Sequence, residues 1–509
     1  MKKYLYLLVI LSGATVLFQG FQCASLNLNT AKTAAAAKDY AKAHEYIDKE
    51  LAVNPQSEEV WMLKADIYKN QRDILNLAKT LNEAEKVMES KQVVEKKLKD
   101  NMLILKYQLW IDCYKKGNDN FTNYDKTKAE YYLDSAIKFY NIAILVRPQM
   151  EDFHYNKALA LLLKQDTSGA LVEFNEFTRI VADGVDFALN KGLFLNQSRD
   201  EILRKLGKPA ESTPLSSTNQ QDSILTDRFV VEGKDIFIFL LGKKGEMLKL
   251  SGWRFNPSTE WLVYERANWT QFNIDAYNSL FQIYYKRKNY ELAVKNLKLI
   301  CQLEPTNIEA NSYLVQVFQE QGKTNEALNY IKSLTIKSPD NKYYWAQYAD
   351  IITNSGKFEE AIPIYEQALK IDSKFEAANR NIAFTYKNIA ANIITKQREK
   401  QDSVKSYKGD PKEYKPYLIK AASYFEIYRT LSVKSNDDHN IIGELATIYL
   451  VLEEKSKLDK CVTDLETLGN KIDAAQKLDY YRIMCKLYGI LQQKDKGADA
   501  CKKLTELDK

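Results

Sequence analysis

The same residue types return every 34 positions through the second half of the chain, and few folds accommodate such a period. Ala293, Ala327 and Ala361 form one series, and Tyr284, Phe318, Ile352 and Tyr386 form another. Pro305 and Pro339 keep the same step, with Ser373 in the third place. Thirty-four residues hold two helices of about four turns each, at 3.6 residues per turn, with room for two tight connections. A unit that small cannot bury its apolar seam alone, so successive copies must stack. The period therefore predicts a mainly α, helical-repeat solenoid with an extended binding surface.

Residues 274–305 show the physical basis. Tyr277, Leu280, Phe281 and Tyr284 recur three and four apart, which places them on one face of a first helix. Ala293 is small enough for a second helix to cross closely, and Leu297 and Ile300 continue that helix's stripe. Pro305 ends it. The next copy reads Leu314, Val315, Phe318, Gly322, Ala327, Ile331, Leu334 and Pro339, and the one after it Trp345, Ala349, Ile352, Gly356, Ala361, Tyr365 and Ala368. This pattern resembles the tetratricopeptide repeat family. The resemblance implies a groove lined by the first helix of each repeat and a role in binding other proteins. The first half carries looser copies, marked by Ala43 and Ile47, by Trp61, Ala65 and Ala84, by Trp110, Ala136 and Tyr140, and by Ala158, Ala170 and Phe174. Two polar stretches, residues 117–128 and 396–416, are expected to be enlarged loops.

The period stops near Asp183 and resumes near Trp269. Ser198 with Glu201 three residues on is a capping box, followed by Ile202, Leu203 and Leu206 and a stop at Gly207. A polar loop is expected over residues 212–222, then three strands over residues 224–232, 235–241 and 247–255. The run from Ser198 to Pro209 with the strands after it resembles the SmpA/OmlA (BamE-like) family of small outer-membrane lipoproteins, with Asn196 where that family usually has Gly. The resemblance implies an α+β domain that binds envelope proteins and brings no catalytic residues. The expected organisation is a signal segment at 1–22, repeats at 23–182, the inserted domain at 183–268 and repeats with capping helices at 269–509.

Lys2 and Lys3 precede an uncharged apolar run that ends near Phe18, the layout of a bacterial export signal. Cys23 follows at once and is the expected lipidation site, with a location on the periplasmic or surface face of the outer membrane. Cleavage after Ala24, leaving a soluble periplasmic or secreted protein, is the alternative. Lys and Arg total 73 against 67 Asp and Glu, a near balance that gives no support to nucleic-acid binding. His44, His154 and His439 share no motif, so no metal or other cofactor is expected. Ser135 and Lys138 fit a Ser-x-x-Lys motif, but they sit beside core Ala136 without the companion motifs of that chemistry. An enzyme is not expected. Cys485 and Cys501 are placed to meet across the last helix pair, although spacing alone does not establish a bridge.

The candidate site is the groove. Its inward positions are Asn278, Gln282, Tyr285, Tyr313, Gln316, Gln347, Asp350, Arg380, Asn381 and Lys387. Amides both donate and accept hydrogen bonds, which suits a peptide backbone, and tyrosines add contact area. The reading is a non-catalytic envelope scaffold for polypeptide segments. The alternative is a glycan-capturing surface lipoprotein of a nutrient-uptake complex.

Overall fold

The computed structural model describes residues 25–215, 222–255, 272–432, 438–469 and 471–508. Cys23, the export segment and Trp269 lie outside them. Among the described residues, twenty-one α-helices and a four-stranded antiparallel sheet follow one another in a tetratricopeptide-type helical-repeat architecture. The chain forms two compact units, one ending at Thr306 and one beginning at Asn307.

The first unit opens with paired helices α1 (Leu26–Ala36) and α2 (Tyr40–Val53), then α3 (Glu58–Gln71) and α4 (Ile74–Glu89). Ser25, Asp39, Ser57 and Asp73 each accept a backbone N–H at the start of one of them. Such caps satisfy helix-end donors, and each contributes roughly 0.5–2 kcal/mol. Next come α5 (Lys96–Thr127) and α6 (Tyr131–Val146), then α7 (Glu151–Leu163) and α8 (Thr167–Asn190). The expected loop at 117–128 is instead the C-terminal part of α5. Gly117 is a contact point: a Cβ there would come within 2.5 Å of the Tyr140 ring. The Tyr140 hydroxyl donates to Asn118 Oδ1 at 2.8 Å, so the glycine lets α6 approach closely and does not break the helix.

The insert starts with α9 (Arg199–Leu206), closed by the Ser198–Glu201 capping box. Strands β1 (Glu211–Leu215), β2 (Asp222–Val231), β3 (Lys234–Lys243) and β4 (Lys249–Phe255) pair in sequence order. β1 occupies part of the expected polar loop. It is an edge strand that carries Pro214 opposite Leu225, a position where a missing N–H is tolerated. Residues 236–240 of β3 are buried without interruption, as in a strand covered on both faces. Position 183 falls inside α8, and Val185 and Ala188 already pack against Ile238 and Trp253 in the core of the insert. Gly184 permits this approach, since a Cβ there would lie 3.1 Å from Trp253 Nε1. The hairpin α10 (Asp275–Lys286) and α11 (Tyr290–Leu303) follows, and Leu303 joins the same core. Its carbonyl accepts the Leu195 N–H at 2.7 Å.

The second unit holds α12 (Ile308–Glu320), α13 (Thr324–Lys337), α14 (Lys342–Asn354) and α15 (Phe358–Ile371). The alanines of the 34-residue series, Ala327 and Ala361 here and Ala293 in the first unit, are each 0% exposed. Gly322 (φ +72°) and Gly356 (φ +77°) make the turns within hairpins, where a left-handed backbone favours residues without a Cβ. Then come α16 (Glu376–Ser403) and α17 (Lys415–Leu431), α18 (Asp438–Leu452) and α19 (Lys455–Gly469), and α20 (Lys477–Ile490) and α21 (Lys494–Leu507). The expected loop at 396–416 is helical up to Ser403. Buried Gln397 anchors the remainder, donating to the Asp410 carbonyl and to Glu413 Oε2, both at 2.9 Å. A disulfide joins Cys485 on α20 to Cys501 on α21.

Candidate functional site

The groove positions fall in both units. In the first, α10 carries Asn278, Gln282 and Tyr285. Asn278 Nδ2 donates to Asp275 Oδ1 at 3.4 Å, and Gln282 is exposed. Tyr285 packs its ring 5.7 Å from Phe281 and 6.1 Å from Tyr290, so part of its surface serves the hairpin's own packing.

In the second unit the first helices α12, α14 and α16 stand side by side, tied by side-chain hydrogen bonds. Gln347 Nε2 donates to the Ser312 carbonyl at 3.0 Å, linking α14 to α12. Asn381 Nδ2 donates to Asp350 Oδ1 at 2.8 Å, linking α16 to α14. Asp350 also accepts the Tyr365 hydroxyl, and Thr385 Oγ1 sits 3.4 Å from Thr353 Oγ1. Gln347, Asp350 and Asn381 are thus brought together, but as ties between helices. Burial pushes the Asp350 carboxyl above its usual range, and the hydrogen bonds from Tyr365 and Asn381 only partly offset this. Lys387 pairs with Glu444 of α18.

The surface positions of this unit are different residues. Gln316 is exposed and reaches along its own helix to Glu320 at 2.9 Å. Tyr313 is half-buried on the same helix. Arg380 lies with its guanidinium 5.1 Å from the Phe384 ring and lines a cavity of about 500 Å³ with Lys342, Asp372, Lys374, Phe375 and Tyr428. Lys342 pairs with Asp372 at 2.5 Å and stands 4.8 Å over the Phe375 ring. Sequence reasoning found Arg380 and missed its neighbours. They come from the start of α14, the loop between α15 and α16 and the body of α17, so no local spacing marks them.

The other singled-out residues lie on the repeat helices. Ser135 and Lys138 lie on α6 beside Ala136, which is 0% exposed. Burial pushes the Cys113 thiol up to about 12 and the Cys461 thiol up to about 11, which leaves both unreactive at neutral pH. His154 Nδ1 faces Glu173 at 2.7 Å, and Lys157 pairs with the same carboxylate at 2.6 Å. Among the described residues no group of three or more His, Cys, Asp or Glu side chains is arranged to hold a metal ion.

Comparison with known proteins agrees with this architecture. Residues 314–374 match the tetratricopeptide repeat family. The chain is 21% identical over 296 residues to the peroxisomal targeting signal receptor of Kluyveromyces lactis, covering 57% of this chain and 45% of the receptor. It is 25% identical over 320 residues to a TPR repeat-containing protein of Methanocaldococcus jannaschii, covering 54% of this chain and 55% of that protein. The chain thus spans about half the length of the curated relatives it matches. Among solved structures, yeast Tom70 aligns over 94% of this chain and 91% of its own, at 13% identity and a TM-score of 0.33.

Proposed function

We propose that this protein is a non-catalytic, envelope-anchored scaffold that holds a polypeptide segment of an envelope partner along the first helices of its second unit. The observation that carries the reading is the division of labour among groove residues. Gln347, Asp350 and Asn381 fix neighbouring helices to one another. That leaves a preorganised surface carrying Gln316, Tyr313 and the Arg380 cavity. A rigid groove loses little entropy on binding, so its contacts appear as affinity. The name of the yeast relative, a receptor for a targeting signal, fits a groove that takes peptide.

Anchoring rests on the sequence before the described residues: Lys2, Lys3, the apolar run and Cys23. The Cys485–Cys501 bridge supports it independently, because disulfides persist in oxidising compartments outside the cytosol. The Ser198–Pro209 resemblance to envelope lipoproteins points the same way, and the insert is read as a second protein-binding module.

The test is site-specific photo-crosslinking from positions 313 and 316 in native membranes, with affinity measured for the segment captured. Truncating Tyr313 and Arg380 together to Ala should cost about thirtyfold in affinity, since loss of a hot-spot anchor commonly exceeds ~2 kcal/mol. Helical content should be unchanged. Crosslinks confined to the insert, with undiminished capture by the double variant, would remove the groove from the reading.

A further inference from the structure

The three most exposed large apolar side chains among the described residues are Val93 at 86%, Leu26 at 83% and Val53 at 80%. They lie far apart in sequence, yet the up-and-down course of the first helices brings them to one end of the first two hairpins. Leu26 begins α1, Val53 ends α2, and Val93 sits in the connection between α4 and α5. Side-chain contacts join these points into one edge. Ser25 Oγ donates to Glu50 on the last turn of α2, Lys91 pairs with Glu58 at the start of α3, and Ser90 Oγ donates to Gln56 at 3.3 Å. The opposite end of the same helices carries Lys38, Asp39, Arg72 and Asp73 in its turns, with Leu75 at 42% its one large apolar exposure.

An exposed Leu or Val is ordinary when isolated, but the three extremes gathered on one edge require a reason. The chain supplies it. Ser25 caps α1, and Cys23 is two residues earlier. Two residues span at most about 7 Å. An acyl anchor on Cys23 would therefore leave no linker, and the end of α1 would be held against the lipid headgroups.

Resting on the lipid-anchored reading above, we propose that the edge formed by Leu26, Val53 and Val93 docks on the lipid bilayer surface and sets the orientation of the first helices against the membrane. The apolar side chains enter the interfacial region, where amphipathic surfaces bury to a depth of about 5–10 Å. Lys96 and Lys97, exposed at the start of α5, stand at the same edge and face the phosphates.

The test uses the full-length acylated protein in phosphatidylethanolamine–phosphatidylglycerol vesicles, in a Cys301→Ser background. Nitroxide labels are placed singly at Val53→Cys and Val93→Cys, with Asn70→Cys on the last turn of α3 as the opposite-end control. Electron paramagnetic resonance reads collisions with dissolved oxygen and with a water-soluble nickel chelate, and mass spectrometry reads acylation of Cys23 in the same sample. Labels at 53 and 93 should lose most nickel relaxation and gain oxygen relaxation on joining vesicles, while the label at 70 keeps its aqueous values. With Cys23 acylated, aqueous values at all three sites overturn the docking edge and leave the anchor standing. Shielding of 53 and 93 from both reagents means contact with another protein copy and also overturns it. Absence of an acyl group on Cys23 overturns both readings.

Discussion

Two carboxylate sites, one in each unit, are held in opposite ways. At the first, carboxylates go inside with cations. Glu151 at the start of α7 pairs with Arg254 of β4, and Glu173 is held by His154 and Lys157. At the second, Asp350 goes inside with neutral donors, the Tyr365 hydroxyl and the Asn381 amide. Burial alone raises both kinds of carboxyl. For Glu173 the bonds from His154 and Lys157 outweigh burial and hold the group below its usual range, whereas for Asp350 burial wins. The comparison teaches that the chemistry of the partner, and not depth, decides what a buried carboxylate does for the fold. In the first unit the ion pair also has a positional task, since it ties the inserted sheet to the repeats.

The largest effect is expected from breaking that tie. Glu151→Ala removes the carboxylate that pairs with buried Arg254 close to Arg147, and losing one partner of a buried ion pair costs about 3–5 kcal/mol. Denaturant unfolding should show it, and a midpoint equal to wild type would mean that the pair is dispensable for docking the insert. A smaller loss, ~1–3 kcal/mol from overpacking, is expected for Ala327→Leu at the crossing of α12 and α13. An unchanged melting temperature there would contradict the assigned repeat register.

The most specific prediction concerns pH. Glu173 has a lowered carboxyl, so its contribution is present above the ordinary carboxylate range and is lost as pH falls through its folded value. Asp350 has a raised carboxyl, so the folded state favours its protonated form, and its penalty appears as pH rises through its folded value. In unfolding titrations between pH 7 and pH 4, the deficit of Glu173→Gln relative to wild type should shrink with acid. Any advantage of Asp350→Asn should shrink as well. The smallest effect is the size of that advantage at pH 7, within about 1 kcal/mol, because the amide oxygen keeps the acceptor position that both Tyr365 and Asn381 use. An Asp350→Asn advantage that grows on acidification would reverse the assigned sign.

Repeat boundaries were legible wherever a residue's role was steric. Ala293, Ala327 and Ala361 mark helix crossings, and Gly322 and Gly356 mark turns, because only small or Cβ-free residues satisfy those positions. One recurring tie even survives a change of residue. Trp61 and Trp345 each donate an indole N–H to a proline carbonyl six residues back, at 2.9 and 2.8 Å. Thirty-four residues after Trp345, Asn379 reaches the Ser373 carbonyl at 3.1 Å and does the same. What could not be read was set by distant partners. Gly117 reads as a breaker until Tyr140 is placed on it, and the polar run after Lys396 reads as a loop until Gln397 finds Asp410 and Glu413. β1 was hidden by Pro214, which an edge strand accepts. The groove suffered the same blindness: position along the helix identified Gln347, Asp350 and Asn381 as inward residues, but whether they face a ligand or a neighbouring helix depends on acceptors and donors 31–35 residues away.

The bridge between α20 and α21 bears on how such an array comes apart. Stacked hairpins hold only their neighbours, so an array unravels from its ends as a zip does, one hairpin at a time. Among the described residues the hairpin of α20 and α21 packs against α18 on one side, and α21 buries little beyond Gly497 and Ala500. Without the bridge it would be the first to open and the first to meet a protease. With Cys485 joined to Cys501, its two helices cannot separate even when they leave the stack, so the last tooth of the zip stays closed. The lifetime of the C-terminal half is then set by the next seam inward, between α19 and α20. A reductant should move the first proteolytic cut to the α20–α21 turn around Gln492.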